Sequence, residues 1–147
     1  MPDETSNRAT WVNMASKLSA MGGVAKAGVG EPTSGVQSGM VAVIAESGRV
    51  DETTLSQPRE IHTVTLRRYE ARVKDAAPDV AEYRLDAWRA QIMSDLYGDF
   101  DLGGTVAYLL PVETTWEWGY QTVENTTYRL LDIHVSYRID GRATFVA

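Results

Sequence analysis

The alternating strand segment from Tyr128 to Ile139 constrains the fold most, because from Leu131 onward apolar and polar residues alternate without a break. The apolar positions are Leu131, Ile133, Val135, Tyr137 and Ile139, and the polar positions are Asp132, His134, Ser136 and Arg138. Successive side chains of a strand point to opposite faces, so the pattern predicts an antiparallel strand with one buried and one solvated face. Asp140-Gly141 predicts a hairpin turn that returns the chain through Ala143–Val146.

A second strand pattern lies upstream and is aromatic. Trp116, Trp118 and Tyr120 share one face of it, and a turn is expected near Glu124-Asn125. Two interpretations of this aromatic face stay open. It packs in the core under a helix, or part of it is a subunit contact, since Trp and Tyr are enriched among the anchors of protein interfaces.

Two helices are expected to cover the sheet. The first runs from about Arg8 to Met21, where apolar residues recur at helical spacing and Gly22-Gly23 ends them. The second runs from Asp79 to Tyr97. Its apolar stripe has steps of three or four residues and consists of Ala81, Leu85, Trp88, Ile92 and Leu96.

Shorter apolar runs predict the remaining strands, at residues 24–29, 40–45, 60–73 and 105–110, with a turn at Ser47-Gly48. The polar, Gly-containing loop near residues 30–38 is expected to be mobile in the free subunit. The predicted fold is α+β: an antiparallel sheet of about four to six strands, packed by an N-terminal helix and one longer central helix, with a C-terminal β-hairpin. We expect a single domain over residues 1–147.

Charge and composition narrow the function classes. The 14 basic and 20 acidic residues give a net charge of −6, which is unfavourable for phosphate neutralisation by a lone subunit. One short basic stretch, Arg67, Arg68, Arg72 and Lys74, is interpreted as a solvated strand end. The absence of cysteine fits a reducing compartment. No signal peptide is visible, and no apolar run approaches the roughly 20 residues needed to span a bilayer, so neither secretion nor membrane insertion is expected.

The sequence offers few candidates for a catalytic, metal-binding or phosphate-binding site. Asp132, His134 and Ser136 have the residue types of a catalytic triad, but same-face neighbours on a strand lie roughly 7 Å apart and cannot form a relay. The two histidines, His62 and His134, lack metal-ligand spacing, so a structural role is expected for each. The segment Gly28–Pro32 lacks the phosphate-loop pattern. The sequence therefore predicts a protein that is not an enzyme and has no cofactor or metal.

The order of elements resembles one family. An N-terminal helix, a Gly/Pro-containing loop, the strand His62–Arg67, a long helix, the junction Leu102-Gly103-Gly104 and an alternating final strand follow one another. This order resembles the tail terminator proteins of long, non-contractile-tailed bacteriophages and related gene transfer agents. The resemblance covers nearly the whole chain in outline.

The resemblance implies a structural virion protein. Its copies would form a ring, of six subunits, that caps the tail tube, ends tube polymerisation and joins the tail to the head–tail connector or stopper protein. DNA would pass through the lumen without specific binding, and the protein would lie at the head-proximal end of the tail after assembly in the host cytoplasm. No cofactor or membrane is implied. The candidate interface residues are Glu31, Pro32, Arg67, Arg68, Trp116, Trp118 and Tyr120.

Two alternatives remain beside this interpretation. The first is a neck or head–tail connector (completion) protein of the same particle, which has similar size and polarity. The second is a small-ligand-binding module that uses the aromatic face as its pocket.

Overall fold

The computed structural model describes residues 4–53, 58–71, 80–99, 102, 106 and 108–140, and these form two helices and a six-stranded sheet. The elements in chain order are α1 (Glu4–Ser19), β1 (Lys26–Val29), β2 (Met40–Thr53), β3 (Pro58–Ala71), α2 (Val80–Asp95), β4 (Tyr108–Leu109), β5 (Thr115–Val123) and β6 (Thr126–Asp140). A single 3₁₀ turn, Pro111–Glu113, separates β4 from β5. The predicted α+β class is confirmed.

The sheet is built around the pair β3 and β6. Its order is β1-β2-β3-β6, and both β4 and β5 lie on the far side of β6. β3 and β6 pair over their whole common length, from Arg59 opposite Asp140 to Ala71 opposite Tyr128. The sequence predicted an antiparallel sheet, and this is wrong for one pair of strands. β1 runs parallel to β2, whereas every other described pair is antiparallel, so the sheet is mixed.

The main core lies between the sheet and the helices. The predicted apolar face of β6 is buried throughout, and Leu131, Ile133, Val135 and Tyr137 have no exposed surface. The predicted stripe of α2 is buried against β3 and β6, with Leu85, Ile92 and Leu96 fully covered. Both sequence patterns are confirmed, and they meet because burying two apolar faces against each other removes both from water.

The N-terminal helix closes the same core from the other end of the sheet. Met14 and Leu18 are fully buried. The Tyr137 hydroxyl accepts a hydrogen bond from Trp11 Nε1 (3.1 Å) and donates one to Asn7 Oδ1 (2.9 Å). This polar link satisfies the hydroxyl of a tyrosine whose ring is buried, which is the usual requirement for burying that residue.

Several predicted boundaries were wrong. α1 begins at Glu4 and ends at Ser19, so both of its predicted bounds, Arg8 and Met21, were wrong. α2 covers Val80–Asp95, and residues 72–79 before it lie outside the described part. The predicted turn at Ser47-Gly48 does not occur. β2 continues through it with an irregularity in register between Ala45 and Ser47, because a β-bulge absorbs the extra residue without ending the pairing.

Three other predicted strands or turns lie partly or wholly outside the described residues. β4 covers only Tyr108–Leu109 of the strand expected at 105–110, and residues 103–105 and 107 lie outside the described part. The C-terminal hairpin expected at Asp140-Gly141 falls on residues 141–147, which lie beyond the described range. The strand expected at 60–73 is present as β3, of which the structure describes residues up to Ala71.

The opposite face of the sheet is only partly covered. A second, smaller apolar cluster lies there, formed by Met40, Ala42, Tyr69, Tyr128 and Leu130. The loop between β1 and β2 packs on it through Val36, whose carbonyl accepts a hydrogen bond from the Tyr128 hydroxyl (2.8 Å). The expected mobility of this loop in the free subunit stays a prediction.

Candidate protein–protein interface

The aromatic face of β5 lies at the surface. The side chains of Trp116, Trp118 and Tyr120 are 44%, 38% and 56% exposed. The interpretation of this face as core packing is therefore wrong for the isolated subunit. Three adjacent exposed aromatic side chains on one strand form an apolar patch of the kind that marks interaction sites.

A tight turn fixes the position of β5. Glu124 and Asn125 both have positive φ (52° and 67°), and Val123 pairs with Thr126 across them. This is the two-residue hairpin geometry whose twist matches that of the flanking strands, and asparagine tolerates it well. The turn predicted near Glu124-Asn125 is confirmed. It sets a register in which Trp116 pairs with Ile133 and Trp118 with Leu131.

Two arginines hold the aromatic side chains in place. The Arg89 guanidinium, on α2, lies 4.7 Å from the ring centre of Trp116, and the Arg129 guanidinium lies 5.2 Å from Trp118 and 4.3 Å from Tyr120. Cation–π contacts at these distances are attractive. We call this surface, formed by Arg89, Trp116, Trp118, Tyr120 and Arg129, the aromatic ridge.

The arginines of the aromatic ridge are themselves anchored. Arg129 Nε donates to Glu82 Oε1 (3.1 Å) and its Nη1 donates to the Gly119 carbonyl (3.1 Å). Arg89 Nε donates to Asp86 Oδ1 (2.8 Å). The charges of both arginines are therefore paired within the free subunit. The positions of the aromatic side chains are set by β5 and by the arginines of α2 and β6. A preorganised surface loses less side-chain entropy on binding.

The sequence did not indicate Arg89 or Arg129 as members of this site. Arg129 continues the face of Leu131 and Ile133 two residues earlier, and Arg89 flanks the apolar stripe of α2 next to Trp88. The available signal was a charged residue, Arg129, at the N-terminal end of the alternating apolar run of β6. Such a charge indicates that the face is no longer buried at that position.

Three predicted interface residues lie on the other face of the sheet. Arg67 forms a two-pronged ion pair with Asp132 (2.8 and 2.9 Å) and donates to Glu31 Oε1 (3.2 Å). The hydrogen bonding that Arg67 donates to the Asp132 carboxylate is the main reason why the pKa of Arg67 is raised above its usual value. Pro32, beside Glu31, borders a surface depression against Gln121. Glu31, Pro32 and Arg67 thus cluster together, away from the aromatic ridge.

The remaining predicted interface residue, Arg68, is not at the surface. It is 4% exposed and pairs with the buried carboxylate of Glu70 through Nε (3.1 Å) and Nη2 (2.8 Å), while Nη2 also donates to the Gly23 carbonyl (2.9 Å). The interpretation of this stretch as a solvated strand end is wrong for Arg67 and Arg68. Arg72 and Lys74 lie outside the described residues.

Asp132, His134 and Ser136 share one sheet face, as predicted, and each has a different cross-strand partner. Asp132 bonds Arg67, Ser136 bonds Thr63 Oγ1 (2.8 Å), and His134 Nδ1 lies 2.8 Å from Glu46 Oε2 and 2.9 Å from Thr65 Oγ1. These bonds connect β6 with β2 and β3. The sequence predicted a solvated face, and this is wrong at Ser136, which is 4% exposed, while Asp132 and His134 are partly exposed.

His62 has a comparable environment on the helix side of the sheet. Its ring stacks on Tyr137, with ring centres 5.5 Å apart, and Nε2 lies 2.9 Å from Glu60 Oε1. Within the described ranges, no three histidine, aspartate or glutamate side chains are grouped so that they could hold a metal ion. In the same part of the chain, neither helix has the length and apolar character needed to cross a bilayer.

Comparison with known proteins adds no relative. No protein-family model matches the sequence, and no curated protein sequence matches it.

Proposed function

We propose that this protein is a structural subunit of a phage-type tail, which assembles with copies of itself into a ring that caps the tail tube. The ring ends tube polymerisation and joins the tail to the head connector. The proposal rests on the resemblance in element order and on the α+β fold. In this proposal the subunit acts through surfaces that other proteins cover and carries out no reaction.

The observation that carries the proposal is the aromatic ridge. Binding hot spots are enriched in Trp, Tyr and Arg, and the ridge consists of these three residue types alone. Truncation of a hot-spot residue to alanine costs on the order of 2 kcal/mol or more of binding free energy. A stable interface buries roughly 800 Å² per partner, so the ridge would form its centre and polar neighbours its rim.

Charge is consistent with DNA passage through such a ring. The subunit carries a net charge of −6, and a lumen that does not neutralise phosphates does not retain DNA. Arg67, Arg68 and Arg129 are each paired with a carboxylate of the same subunit. These cations are therefore already partnered by the subunit's own acids.

Assembly can be tested on the purified protein. Light scattering with size-exclusion chromatography and negative-stain electron microscopy should show rings, and the double variant Trp116→Ala/Trp118→Ala should be monomeric at the same concentration. Tyr83→Ala is the matched control, because Tyr83 is a 70% exposed aromatic residue on α2 outside the ridge. A monomeric parent protein at high concentration, alone and with tail-tube subunits, would rule out the ring.

The length of the tube distinguishes a terminator from a connector. A tube end is an unsatisfied heterologous interface that accepts subunits until a different protein caps it. Particles assembled without this protein should therefore carry tubes of variable and excessive length. Tails of normal length that remain unattached to filled heads would instead assign the protein to the neck.

A further inference from the structure

The sheet has two different open edges. Over the described residues β1 pairs only with β2, and β5 pairs only with β6, so the sheet begins and ends with strands that have one strand neighbour each. A strand edge carries unpaired N–H and C=O groups and can accept a further strand. Since the two edges differ, the β1 edge of a second copy could pair with the β5 edge of the first.

Of the devices that normally protect an edge, β5 has a single charged side chain, Glu117. Its nine residues, Thr115–Val123, include no proline or lysine, and its register with β6 is regular from end to end. The hydrogen-bonded pair that closes a two-residue hairpin is Val123 with Thr126, and bonded pairs alternate along the ladder. The backbone groups of Trp116, Trp118 and Tyr120 consequently point away from β6, toward an incoming strand.

The β1 edge matches β5 on the helix side of the sheet. Ala27 packs against the main core, so Val29, two residues on, shares the helix side. Val29 is 45% exposed although it is apolar. A sheet continued from β5 to β1 of a second copy would place Val29 on the same side as the aromatic ridge and cover apolar surface of both.

The two edges also match on the other side. Lys26 is exposed and points away from the helices, as the neighbour of Ala27 along the strand. On β5 the corresponding side carries Glu117, whose side chain is 69% exposed and whose Oε1 lies 3.2 Å from His134 Nε2. Rotational symmetry keeps the helices of every copy on one side of the sheet, so a basic and an acidic edge residue lie on the same side of the proposed junction.

We infer that neighbouring subunits join by strand addition, with β5 of one copy beside β1 of the next, so that one sheet continues around the ring. The inference rests on the proposed ring and names its subunit contact. The contact is heterologous, because it joins two different edges, and such a contact closes into a ring when its rotation permits. β1 has only four residues, so the aromatic ridge and the pair Lys26–Glu117 must supply what the short ladder does not.

Charge reversal tests the pairing of the edges. Lys26→Glu and Glu117→Lys should each weaken assembly about tenfold, since like charges then face each other, and the double reversal should restore it. Arg8→Glu, an exposed basic-to-acidic change on α1, is the control and should leave assembly unchanged. A melting temperature within a degree or two of the parent would show that each variant is folded.

Cross-linking tests whether the contact is heterologous. The chain has no cysteine, so Lys26→Cys and Glu117→Cys introduce the only thiols. With a short bis-maleimide, the variant carrying both should give a ladder of covalent oligomers up to the ring number. Each single variant should remain uncross-linked, and a mixture of the two should stop at dimers. Dimers from one single variant alone would indicate a self-complementary contact and overturn the inference.

The outcomes separate this inference from the function on which it rests. Rings that survive both single charge reversals and give no ladder would overturn the β5–β1 contact and leave the ring proposal intact. A parent protein that forms no ring under any condition would remove both. Loss of assembly in the single reversals without recovery in the double reversal would also overturn the pairing of Lys26 with Glu117.

Discussion

Ile133 and Trp116 are cross-strand partners on the same face of the sheet, yet their environments differ completely. Ile133 is fully buried under the helices, whereas Trp116, one strand further out, is 44% exposed. The same contrast holds for Leu131 and Trp118. Both strands show regular alternation, but α2 packs mainly on β3 and β6 and reaches β5 only through side chains such as Arg89, so the face of β5 stays partly exposed.

The comparison shows what alternation means physically. The pleat of a strand determines which side chains share a face, and the placement of the helices decides whether that face is covered. Apolar residues on an uncovered face remain in contact with water in the free subunit. In this protein such residues are the large aromatic types that bury the most surface in an interface.

Substitution of the two partners should have opposite consequences. Ile133→Asp places an unpaired carboxylate in the main core and should lower the free energy of unfolding by about 5 kcal/mol or more. Trp116→Ala should cost only about 1 kcal/mol, mainly the cation–π contact with Arg89. Urea unfolding of both variants measures the difference. An Ile133→Asp variant that melts like the parent would refute the burial of this face.

Arg67 and Arg68 are adjacent on β3 but lie on opposite faces of the sheet. Their substitution therefore compares what the ion pairs of the two faces contribute to the free energy of unfolding. Arg68→Met leaves the 2% exposed Glu70 with only the Ser38 hydroxyl and the more distant Arg84 (4.0 Å), and should destabilise the fold by about 3–5 kcal/mol. Arg67→Met breaks a pair with Asp132 near the surface and should cost about 1–2 kcal/mol.

The double variant Arg68→Met/Glu70→Leu serves as the control for this pair of measurements. It removes both charges and should recover much of the lost stability, because no buried charge is left unpaired. Chemical denaturation at pH 7 measures all three variants. Equal losses for Arg67→Met and Arg68→Met would show that the two faces do not differ in this respect.

The smallest expected effect concerns Tyr97, which connects the end of α2 with the start of β5. Burial raises the pKa of Tyr97, and a hydrogen bond with Thr114 Oγ1 opposes that shift. The folded state therefore holds this proton more tightly than the unfolded chain. Its contribution to stability is complete below about pH 10 and is lost as the pH rises toward the folded pKa.

Tyr97→Phe should therefore reduce the alkaline loss of stability. The measurement is the urea midpoint of parent and variant between pH 7.5 and 11. Part of the loss should remain, because burial also raises the pKa of Tyr69. Parallel curves for parent and variant over the whole range would show that Tyr97 plays no part in the alkaline transition.

Much of the fold could be predicted from local patterns. The β6 alternation, the α2 stripe and the Glu124-Asn125 turn each follow from interactions within one element or between adjacent ones, and the structure confirms all three. The parallel pairing of β1 with β2 and the passage of β2 through Ser47-Gly48 depend on distant partners. Local sequence carries no signal for such partners.

The candidate site was only partly predictable for the same reason. The three aromatic residues were identified, but the choice between core and surface required the position of α2. Arg67 and Arg68 are neighbours in sequence and lie on opposite faces of the sheet, where one pairs with Asp132 and the other with Glu70. Grouping them as one basic stretch was the error. A strand separates adjacent residues by its pleat.

The central pairing of β3 with β6 joins residues far apart in the chain, for example Val64 with Val135, and even α1 is held to β6 through the bonds of Trp11 and Asn7 to Tyr137. Closing so large a loop before any contact is gained makes folding slow. During synthesis, the first 125 residues lack β6, against which α2 packs and whose Tyr137 bonds α1. The main core can therefore be completed only after β6 has left the ribosome.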